Sequence, residues 1–292
     1  MTVISQRAPA KINLFLRVTS RRPDGYHELE TLFQRIELAD RLTFERAEGS
    51  SLELDCRDVA VSPIDAGAKE NLVNRAHQAL IEECGDRVAG VRVMLEKRIP
   101  VGGGLGGGSS DAAAALVGLD RLFDLGLDAA TLHRIALQLG ADVPFFLGSP
   151  CAVGRGIGEE LTSFDHASQF RVVLAFPERG VFTPVAFARY DALGAAPSDA
   201  NIERVLDALK KKDLSAVLEN LHNDLERPVF HLDPKIGHLR KQLETLAKRP
   251  VRMTGSGSSL FTLAETDDDA RDIARRWSKI ETIQHRVTRF SL

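Results

Sequence analysis

The sequence is poor in the features that would tie a protein to a structural metal, an oxidising compartment or a membrane. Its three cysteines, Cys56, Cys84 and Cys151, stand singly, without a CxxC pair or the even number that a disulfide set requires. No run approaches the roughly 18 apolar residues of a membrane span. The N-terminal residues also lack a signal-peptide layout. We therefore expect reduced thiols and a cytoplasmic location.

An excess of positive charge is also missing. The chain has 38 Lys and Arg against 41 Asp and Glu, a formal net charge of −3. A general electrostatic attraction to nucleic acid or to an anionic membrane is therefore not expected. The short basic run at 210–212 is typical of a solvated helix end. We expect small-molecule partners, no nucleic acid, no membrane and no obligate protein partner.

Hydrophobic patterning predicts an α+β protein with two domains, 1–165 and 166–292, divided near the polar stretch 163–170. Residues 10–18 alternate like a half-buried strand, with Lys11 and Asn13 on the face away from the core. Further strands are predicted at 31–38, 41–45, 52–54, 91–95, near 153 and from 171. Helices are predicted at 71–83, 112–123, 132–139, 202–209, 214–221, 236–247 and 268–277.

The segment PVGGGLGGGSSDAAAAL at 100–116 has six glycines among seven consecutive residues, followed directly by a helix. A glycine-rich loop that leads into a helix N-terminus binds anions, because unshielded N–H groups and the helix dipole converge on them. Ser109 and Ser110 add hydroxyl groups where the helix starts. The segment therefore predicts a phosphate site.

Two familiar phosphate motifs fit this segment poorly. Gly102, Gly104 and Gly107 satisfy GxGxxG, but the acidic residues some 20 positions further on, Asp124 and Asp128, follow a helix and not a second parallel strand. A P-loop would need a lysine before Ser109. An NAD-dependent oxidoreductase is therefore a weakened alternative.

Three stretches together resemble the motifs of the GHMP kinases, a family of small-molecule kinases. They are the glycine segment, APAKINL at 8–14 and MTGSGSSLF at 253–261, and they occur in the family's order over nearly the whole chain. The resemblance implies a two-domain GHMP kinase fold, with an N-terminal ribosomal-protein-like βα domain and a C-terminal ferredoxin-like α/β sandwich. It places the active site in the cleft between those domains.

Four further stretches resemble the GHMP kinases that act on a cytidine-diphosphate-linked methylerythritol. They are RRPDGYHELETLFQRI at 21–36, GADVPFFL at 140–147, FTPVAF at 182–187 and NDLE at 223–226. The resemblance implies transfer of the γ-phosphoryl group of ATP to the 2-hydroxyl of that substrate, with dependence on Mg²⁺. A sibling kinase for homoserine or mevalonate stays open. So does an RNA-binding protein, since the N-terminal fold of these kinases resembles a ribosomal-protein domain.

Phosphoryl transfer needs charge neutralisation, alignment and a place for the hydroxyl proton. Taken alone, Asp142 in Gly-Ala-Asp-Val-Pro is an ordinary loop aspartate and Lys11 an ordinary strand lysine. The resemblance implies that Asp142 is the base that accepts the proton. It also implies that Lys11 keeps Asp142 ionised and stabilises the developing charge.

The remaining site residues are implied by their positions in the motifs. The predicted nucleotide-binding residues are Pro100, Val101, Gly102, Gly103, Gly104, Leu105, Gly106, Gly107, Gly108, Ser109 and Ser110, with Asn71 and Lys97 on the adenine side. The predicted substrate-binding residues are Asn13, Tyr26, His27, Thr183, Phe187, Gly255, Ser256 and Gly257. Tyr26 and Phe187 are implied to sandwich the cytosine, and His27 to bind its edge. Ser110 is the candidate metal ligand, and no glutamate shortly precedes Asp142 to act as a second one.

Overall fold

The computed structural model describes residues 2–58, 71–177, 180–196 and 198–291. The strands in those ranges are β1 (Val3–Arg21), β2 (His27–Arg46), β3 (Leu52–Asp58), β4 (Val91–Lys97), β5 (Cys151–Arg155), β6 (Glu160–Ser163), β7 (Arg171–Phe176), β8 (His222–Asn223), β9 (Arg252–Met253), β10 (Leu260–Ala264) and β11 (Gln284–Arg289). The helices are α1 (Leu72–Cys84), α2 (Gly107–Phe123), α3 (Ala129–Leu139), α4 (Thr183–Leu193), α5 (Ile202–Lys211), α6 (Leu214–Asn220), α7 (Glu226–Leu232), α8 (Pro234–Ala247) and α9 (Asp267–Trp277). Short 3-10 helices lie at Gly85–Arg87 and Pro144–Leu147. None of the helices described has the length and apolarity that crossing a bilayer requires.

The chain forms two compact units, each assembled from several segments. The first comprises Met1–Ala10, Leu38–Pro100 and Gly106–Ser149, and the second comprises Lys11–Glu37, Val101–Leu105 and Pro150–Leu292. Both β1 and β2 therefore pass from one unit into the other. The domain boundary predicted near residue 165 is a division along the sequence and stays a prediction.

In the first unit, β4 lies between β3 and the C-terminal part of β2. It pairs in parallel with β3 and antiparallel with β2, where Leu42 faces Leu95. Helices α1, α2 and α3 pack on one another. The alanines at 112–115 of α2 are at most 7% exposed, and small side chains of this kind let the helix pack closely on its neighbours.

The second unit contains two groups of paired strands. In the first, β1 neighbours β2 and pairs in parallel with β8, while β5 pairs antiparallel with β2 and β6. The second is a four-stranded antiparallel sheet in the order β11-β7-β10-β9. Helices α8 and α9 pack together, and the fully buried Trp277 donates its indole N–H to the carbonyl of Leu243 at 3.1 Å. Satisfying the indole in this way lets the ring contribute its full apolar area to the core.

The predicted helices α1, α3, α5, α6, α8 and α9 are confirmed to within a few residues, as is the helix after the glycines. The half-buried assignment of the first strand is wrong, because Lys11, Asn13 and Phe15 are at most 4% exposed. The two strands expected at 31–38 and 41–45 are one strand, β2. Helices α4 and α7 were not expected, since α4 buries only Ala186 and α7 contains a proline.

In the second unit, the half-buried His166 contacts Gln34 of β2, which in turn bonds to the last residues described. The Nε2 atom of His166 lies 2.8 Å from Gln34 Oε1, and its Nδ1 atom accepts the N–H of Ser168 at 3.2 Å. The amide nitrogen of Gln34 donates to the carbonyls of Arg35 and Ser291. This arrangement requires a neutral imidazole with its proton on Nε2, and burial lowers the pKa of His166.

We expect His166 to make stability dependent on pH. A histidine whose pKa is lowered by folding stabilises the native state above the pKa of the unfolded chain, about 6.5, and that contribution is lost as the pH falls below it. The measurement is urea unfolding of wild type and His166→Asn from pH 8 to pH 5. The stability advantage of the wild type should shrink on the acidic side. His133→Asn, at an exposed position of α3, is the control, and an advantage that does not vary with pH would contradict the prediction.

Gly118 of α2 provides a test of packing in the first unit. An ideal Cβ at this position would lie 2.4 Å from Cε2 of Phe44, so that any side chain must displace the ring. We expect Gly118→Ala to lower the free energy of unfolding by about 1–3 kcal/mol, despite the better helix propensity of alanine.

The control for this change is Gly108→Ala in the same helix, where the nearest atom to an ideal Cβ is Leu72 Cδ1 at 3.7 Å. Urea unfolding compares the two variants. Combining Gly118→Ala with Phe44→Leu should destabilise less than the sum of the single changes, because the smaller side chain removes the clash. Equal stabilities of the two alanine variants would show that Phe44 does not restrict this position.

Candidate active site

The first part of the glycine-rich segment belongs to the second unit and packs against the hairpin between β9 and β10. The backbone N–H of Ser259 donates to the carbonyl of Gly103 at 3.1 Å. An ideal Cβ on Gly104 would lie 2.2 Å from the carbonyl oxygen of Thr254. Residues 254–259 therefore contact the glycine-rich segment backbone to backbone.

The other predicted residues of this part differ in their surroundings. Gly102 and Gly104 both have positive φ, at 72° and 75°, which suits glycine. Val101 is 68% exposed, whereas Leu105 is buried and its carbonyl accepts the N–H of Lys11 at 2.9 Å. Pro100, the last residue before this part, belongs to the first unit and is half-buried.

The second part of the segment starts α2 in the first unit. Gly106, with φ of 70°, precedes the helix, and Gly107 and Gly108 form its first residues. Ser109 is half-buried, while Ser110 is 1% exposed and its hydroxyl has no hydrogen-bond partner among the described residues. A buried hydroxyl without a partner at a helix N-terminus is suited to a phosphate oxygen or to the shell of a bound metal ion.

Lys97 lies in a buried charge cluster at the end of β4. Its ammonium contacts the carboxylates of Asp40 and Asp111, the latter at 2.7 Å, and Asp40 also accepts the N–H of Ile99 at 2.8 Å. Because Asp111 belongs to α2, the cluster connects β4 to the helix that follows the glycines. The adenine contact predicted for Lys97 stays a prediction.

This cluster holds two carboxylates and one ammonium group. Burial raises the pKa of Asp111, Lys97 opposes that shift and Asp40 adds to it, which leaves a pKa of about 8. Burial lowers the pKa of Lys97, but the two carboxylates raise it more, so its net shift is upward. The cluster therefore retains its ammonium charge, and burial favours the protonated form of Asp111.

Two other predicted residues of the first unit lie at helix ends. Asn71 is the N-cap of α1 and accepts the N–H of Val73 at 2.9 Å. Asp142 is half-buried and lies after the α3 C-cap Gly140, just before the 3-10 helix that starts at Pro144. The functional roles of Asn71 and Asp142 stay predictions.

In the second unit, Lys11 and Asn13 form a buried polar row with two threonines. The ammonium of Lys11 donates to Asn13 Oδ1 at 2.7 Å and lies 5.1 Å from the centre of the Phe33 ring. Asn13 donates its side-chain N–H to Thr31 Oγ1 at 2.8 Å and its backbone N–H to Thr254 Oγ1 at 3.0 Å. Lys11 is thus held on a strand buried on both faces, in an orientation set by hydrogen bonds.

The residues predicted to bind the cytosine base form a cluster around His27, the first residue of β2. The Phe187 ring stacks on the imidazole with centroids 4.8 Å apart, and the Tyr190 ring meets its edge at 6.0 Å. The imidazole Nε2 lies 2.7 Å from Asp191 Oδ1. Tyr26, next to His27, is 61% exposed, so its ring is open to solvent.

The predicted residues of the hairpin and of α4 also meet. Thr183, the first residue of α4, has its hydroxyl 2.7 Å from the Ser256 hydroxyl. Gly255 and Gly257 have φ of 56° and 82°, and an ideal Cβ on Gly255 would lie 3.4 Å from Lys11 Nζ. Residues from three separate motifs therefore converge within the second unit.

Asp191, Thr254 and Asn223 were not predicted as site residues. Asp191 follows Phe187 by four positions, so the two side chains lie on the same face of α4. The sequence did not indicate this, because the apolar pattern of α4 was too weak for a helix to be predicted there. Thr254 and Asn223 lie inside stretches that carry the family resemblance. Only the structure shows that their side chains bond to the backbone of Asn13 and of Met253.

No group of three or more His, Cys, Asp or Glu suited to a metal occurs within the described ranges. The GxGxxG context of a dinucleotide fold is also not met, because α2 is followed by helix α3 and not by a strand.

Comparison with known proteins gives the family. The models for the GHMP kinases N terminal domain and the GHMP kinases C terminal match residues 71–149 and 205–281. The chain is 41% identical to the 4-diphosphocytidyl-2-C-methyl-D-erythritol kinase of Moorella thermoacetica, over 94% of this chain and 95% of that protein. It is 40% identical to the kinase of the same name from Syntrophotalea carbinolica, over 93% of each chain.

Solved structures agree with this result and confirm the predicted two-domain GHMP kinase fold. A 4-(cytidine 5'-diphospho)-2C-methyl-D-erythritol kinase matches with a TM-score of 0.82 and 39% identity, covering 99% of this chain and 100% of that one. Homoserine kinase from Cytophaga hutchinsonii shares the fold with a TM-score of 0.76 at 17% identity, covering 100% of this chain and 95% of that one. The chain belongs to the GHMP kinases and, within them, to the family of 4-diphosphocytidyl-2-C-methyl-D-erythritol kinases.

Proposed function

We propose that this chain is an ATP-dependent kinase that phosphorylates the 2-hydroxyl of 4-diphosphocytidyl-2-C-methyl-D-erythritol, in the non-mevalonate route to isoprenoids. The observation that carries the proposal is the identity of about 40% with kinases of that name over nearly the full length. The site residues support it, since a phosphate-type loop and an aromatic cluster with a histidine are both present. No observation favours homoserine or mevalonate as the substrate.

In this proposal the glycine-rich segment binds the triphosphate of ATP. The N–H groups at the start of α2 and the Ser110 hydroxyl would donate hydrogen bonds to the phosphate oxygens. Mg²⁺ would neutralise phosphate charge, and the Ser110 hydroxyl without a partner fits its coordination shell.

The substrate hydroxyl attacks the γ-phosphorus as the bond to the β–γ bridging oxygen breaks, and ADP leaves with that electron pair. The hydroxyl proton passes to the carboxylate of Asp142. Lys11, whose ammonium is buried and oriented by Asn13, stabilises the negative charge that develops on the transferred group.

The cytidine end of the substrate would bind at the cluster around His27. Tyr26 and Phe187 supply aromatic faces and His27 supplies polar atoms. Asn13, Thr183 and the turn Gly255, Ser256 and Gly257 would contact the remainder of the substrate. Both substrates are soluble small molecules, so we propose a cytoplasmic enzyme that requires no macromolecular partner.

We expect Asp142→Asn to lower kcat by about 10²- to 10⁴-fold, because the amide cannot accept the proton. The assay follows ³¹P signals of ADP and of the phosphorylated product with ATP, Mg²⁺ and the cytidylyl substrate. Binding of cytidine nucleotide should be retained.

The control is Asp128→Asn, since Asp128 caps α3 and asparagine caps a helix equally well. Wild-type activity on homoserine or mevalonate, but none on the cytidylyl alcohol, would refute the proposed substrate. Unchanged kcat in Asp142→Asn would refute the proposed base.

We expect Asp191→Ala to raise KM for the cytidylyl substrate roughly 10-fold, since it removes a hydrogen bond between His27 and a charged group. KM for ATP should stay as in the wild type. Steady-state kinetics with each substrate varied in turn separates the two effects. Asp199→Ala, at an aspartate whose side chain is 98% exposed, is the control. Equal increases in both KM values would contradict a specific role for Asp191 in binding the cytosine base.

A further inference from the structure

The segment from His222 to Glu226 contains the NDLE stretch and joins β1 to the hairpin of β9 and β10 in the second unit. Strand β8 pairs in parallel with β1, where His222 faces Phe15. Asp224 donates its N–H to the carbonyl of Leu16 and accepts the N–H of Val18 at 2.8 Å. These contacts anchor the segment to β1.

The side chain of Asn223 points to the hairpin. It is 6% exposed, and its amide nitrogen donates to the carbonyls of Met253 and Gly255, at 2.7 and 2.8 Å. Its oxygen accepts the N–H of Leu225 at 2.9 Å. Both amide hydrogens are therefore used, and they bind the two carbonyls on either side of Thr254.

Thr254 is completely buried and contacts two parts of the site. Its hydroxyl accepts the N–H of Asn13 at 3.0 Å, and lies 3.3 Å from both Asn13 Oδ1 and the carbonyl of Gly104. Asn13 Oδ1 in turn accepts the Lys11 ammonium. A continuous set of buried hydrogen bonds thus runs from Asn223, through the hairpin, to Lys11.

We propose that Asn223 is a positioning residue for phosphoryl transfer. It fixes the carbonyls that flank Thr254, so that the threonine hydroxyl can hold Asn13, and through it Lys11, beside the glycine-rich segment. The role in catalysis rests on the proposed function, whereas the positioning of the hairpin does not.

A purely structural role for Asn223 is the competing explanation. Other groups already attach this segment to its neighbours: Asp224 binds β1, and Glu226 accepts the N–H of Met253 at 2.7 Å. What Asn223 adds is the orientation of the turn, since only its amide bridges the carbonyls of Met253 and Gly255 among the contacts described. Small displacements of a catalytic group lower the rate far more than they lower stability.

The experiment compares Asn223→Ser, which removes the bridging amide, with Asp224→Asn, which alters the same segment on the side of β1. We expect Asn223→Ser to lower kcat about 10- to 100-fold. KM for the cytidylyl substrate should change less than kcat, because the set includes Asn13 and Gly255 but not the residues around the cytosine base, His27 and Phe187. Asp224→Asn should keep kcat near the wild-type value. Comparable loss of kcat in both variants, or a loss explained by a smaller folded fraction, would overturn the proposal.

Substitutions of Thr254 test the hydrogen bonds between the hairpin and Asn13. They also test the proposal if Asn223→Ser folds poorly. Thr254→Val should lower kcat, and Thr254→Ser, which keeps the hydroxyl, should restore it. The double variant Asn223→Ser and Thr254→Val should be no slower than the slower single variant, because both act on the same set of contacts. Additive losses would show that Asn223 does not act through Thr254.

Hydrogen exchange separates this inference from the proposed function. The amides of Thr254, Gly257 and Ser259 donate to the carbonyls of Ser259, Thr254 and Gly103. They should exchange faster in Asn223→Ser, but not in Asp224→Asn. If these amides exchange faster in Asn223→Ser but the wild type is inactive on the cytidylyl substrate, the positioning role is retained and the proposed substrate is rejected. Unchanged exchange with an active wild type would retain the substrate and reject the positioning role.

Discussion

The arrangement of the second unit depends on one close backbone approach. The carbonyl oxygen of Thr254 lies where a side chain on residue 104 would begin, with an ideal Cβ 2.2 Å from that oxygen and 3.1 Å from the nitrogen of Gly257. Only glycine at position 104 allows this contact without moving the hairpin. Because the Thr254 hydroxyl also binds the backbone of Asn13, the same contact brings β1 and the glycine-rich segment together.

The chain buries two lysines, Lys11 and Lys97, whose ammonium groups have different partners. Lys97 contacts the carboxyl groups of Asp40 and Asp111, so its charge is balanced within the cluster and the contacts hold β4 and α2 together. Lys11 donates to the side-chain oxygen of Asn13 and lies near the ring of Phe33, and both contacts help to fix the position of its ammonium. An ammonium that is already oriented can stabilise charge that develops in a transition state without first being reorganised. Lys97 thus connects β4 to α2, whereas Lys11 is held in a fixed orientation beside Leu105 of the glycine-rich segment, which supports the catalytic role proposed for it.

Elements with a clear hydrophobic period could be predicted from the sequence. Prediction failed where contacts with distant residues decide whether a side chain is buried. Most helices with a strong apolar face were predicted from the sequence. The first strand was expected to expose Lys11 and Asn13, because polar residues at alternating positions usually face water. Here their hydrogen bonds to each other and to Thr31 and Thr254 make burial favourable instead. The partnership of His27 with Asp191 joins residues 164 positions apart, and no local pattern indicates it.

The glycines themselves differ in what they require. Gly104 is explained by packing on the hairpin, and Gly107 is crowded by Ile99, whose Cγ2 would lie 3.0 Å from an ideal Cβ. Gly108 is different, since the nearest atom to an ideal Cβ is 3.7 Å away, and helical backbone at that position tolerates any side chain. Neither packing nor backbone conformation accounts for a glycine there. The remaining physical reason is access, because a missing side chain leaves the N–H groups in the first turn of α2 open to a phosphate.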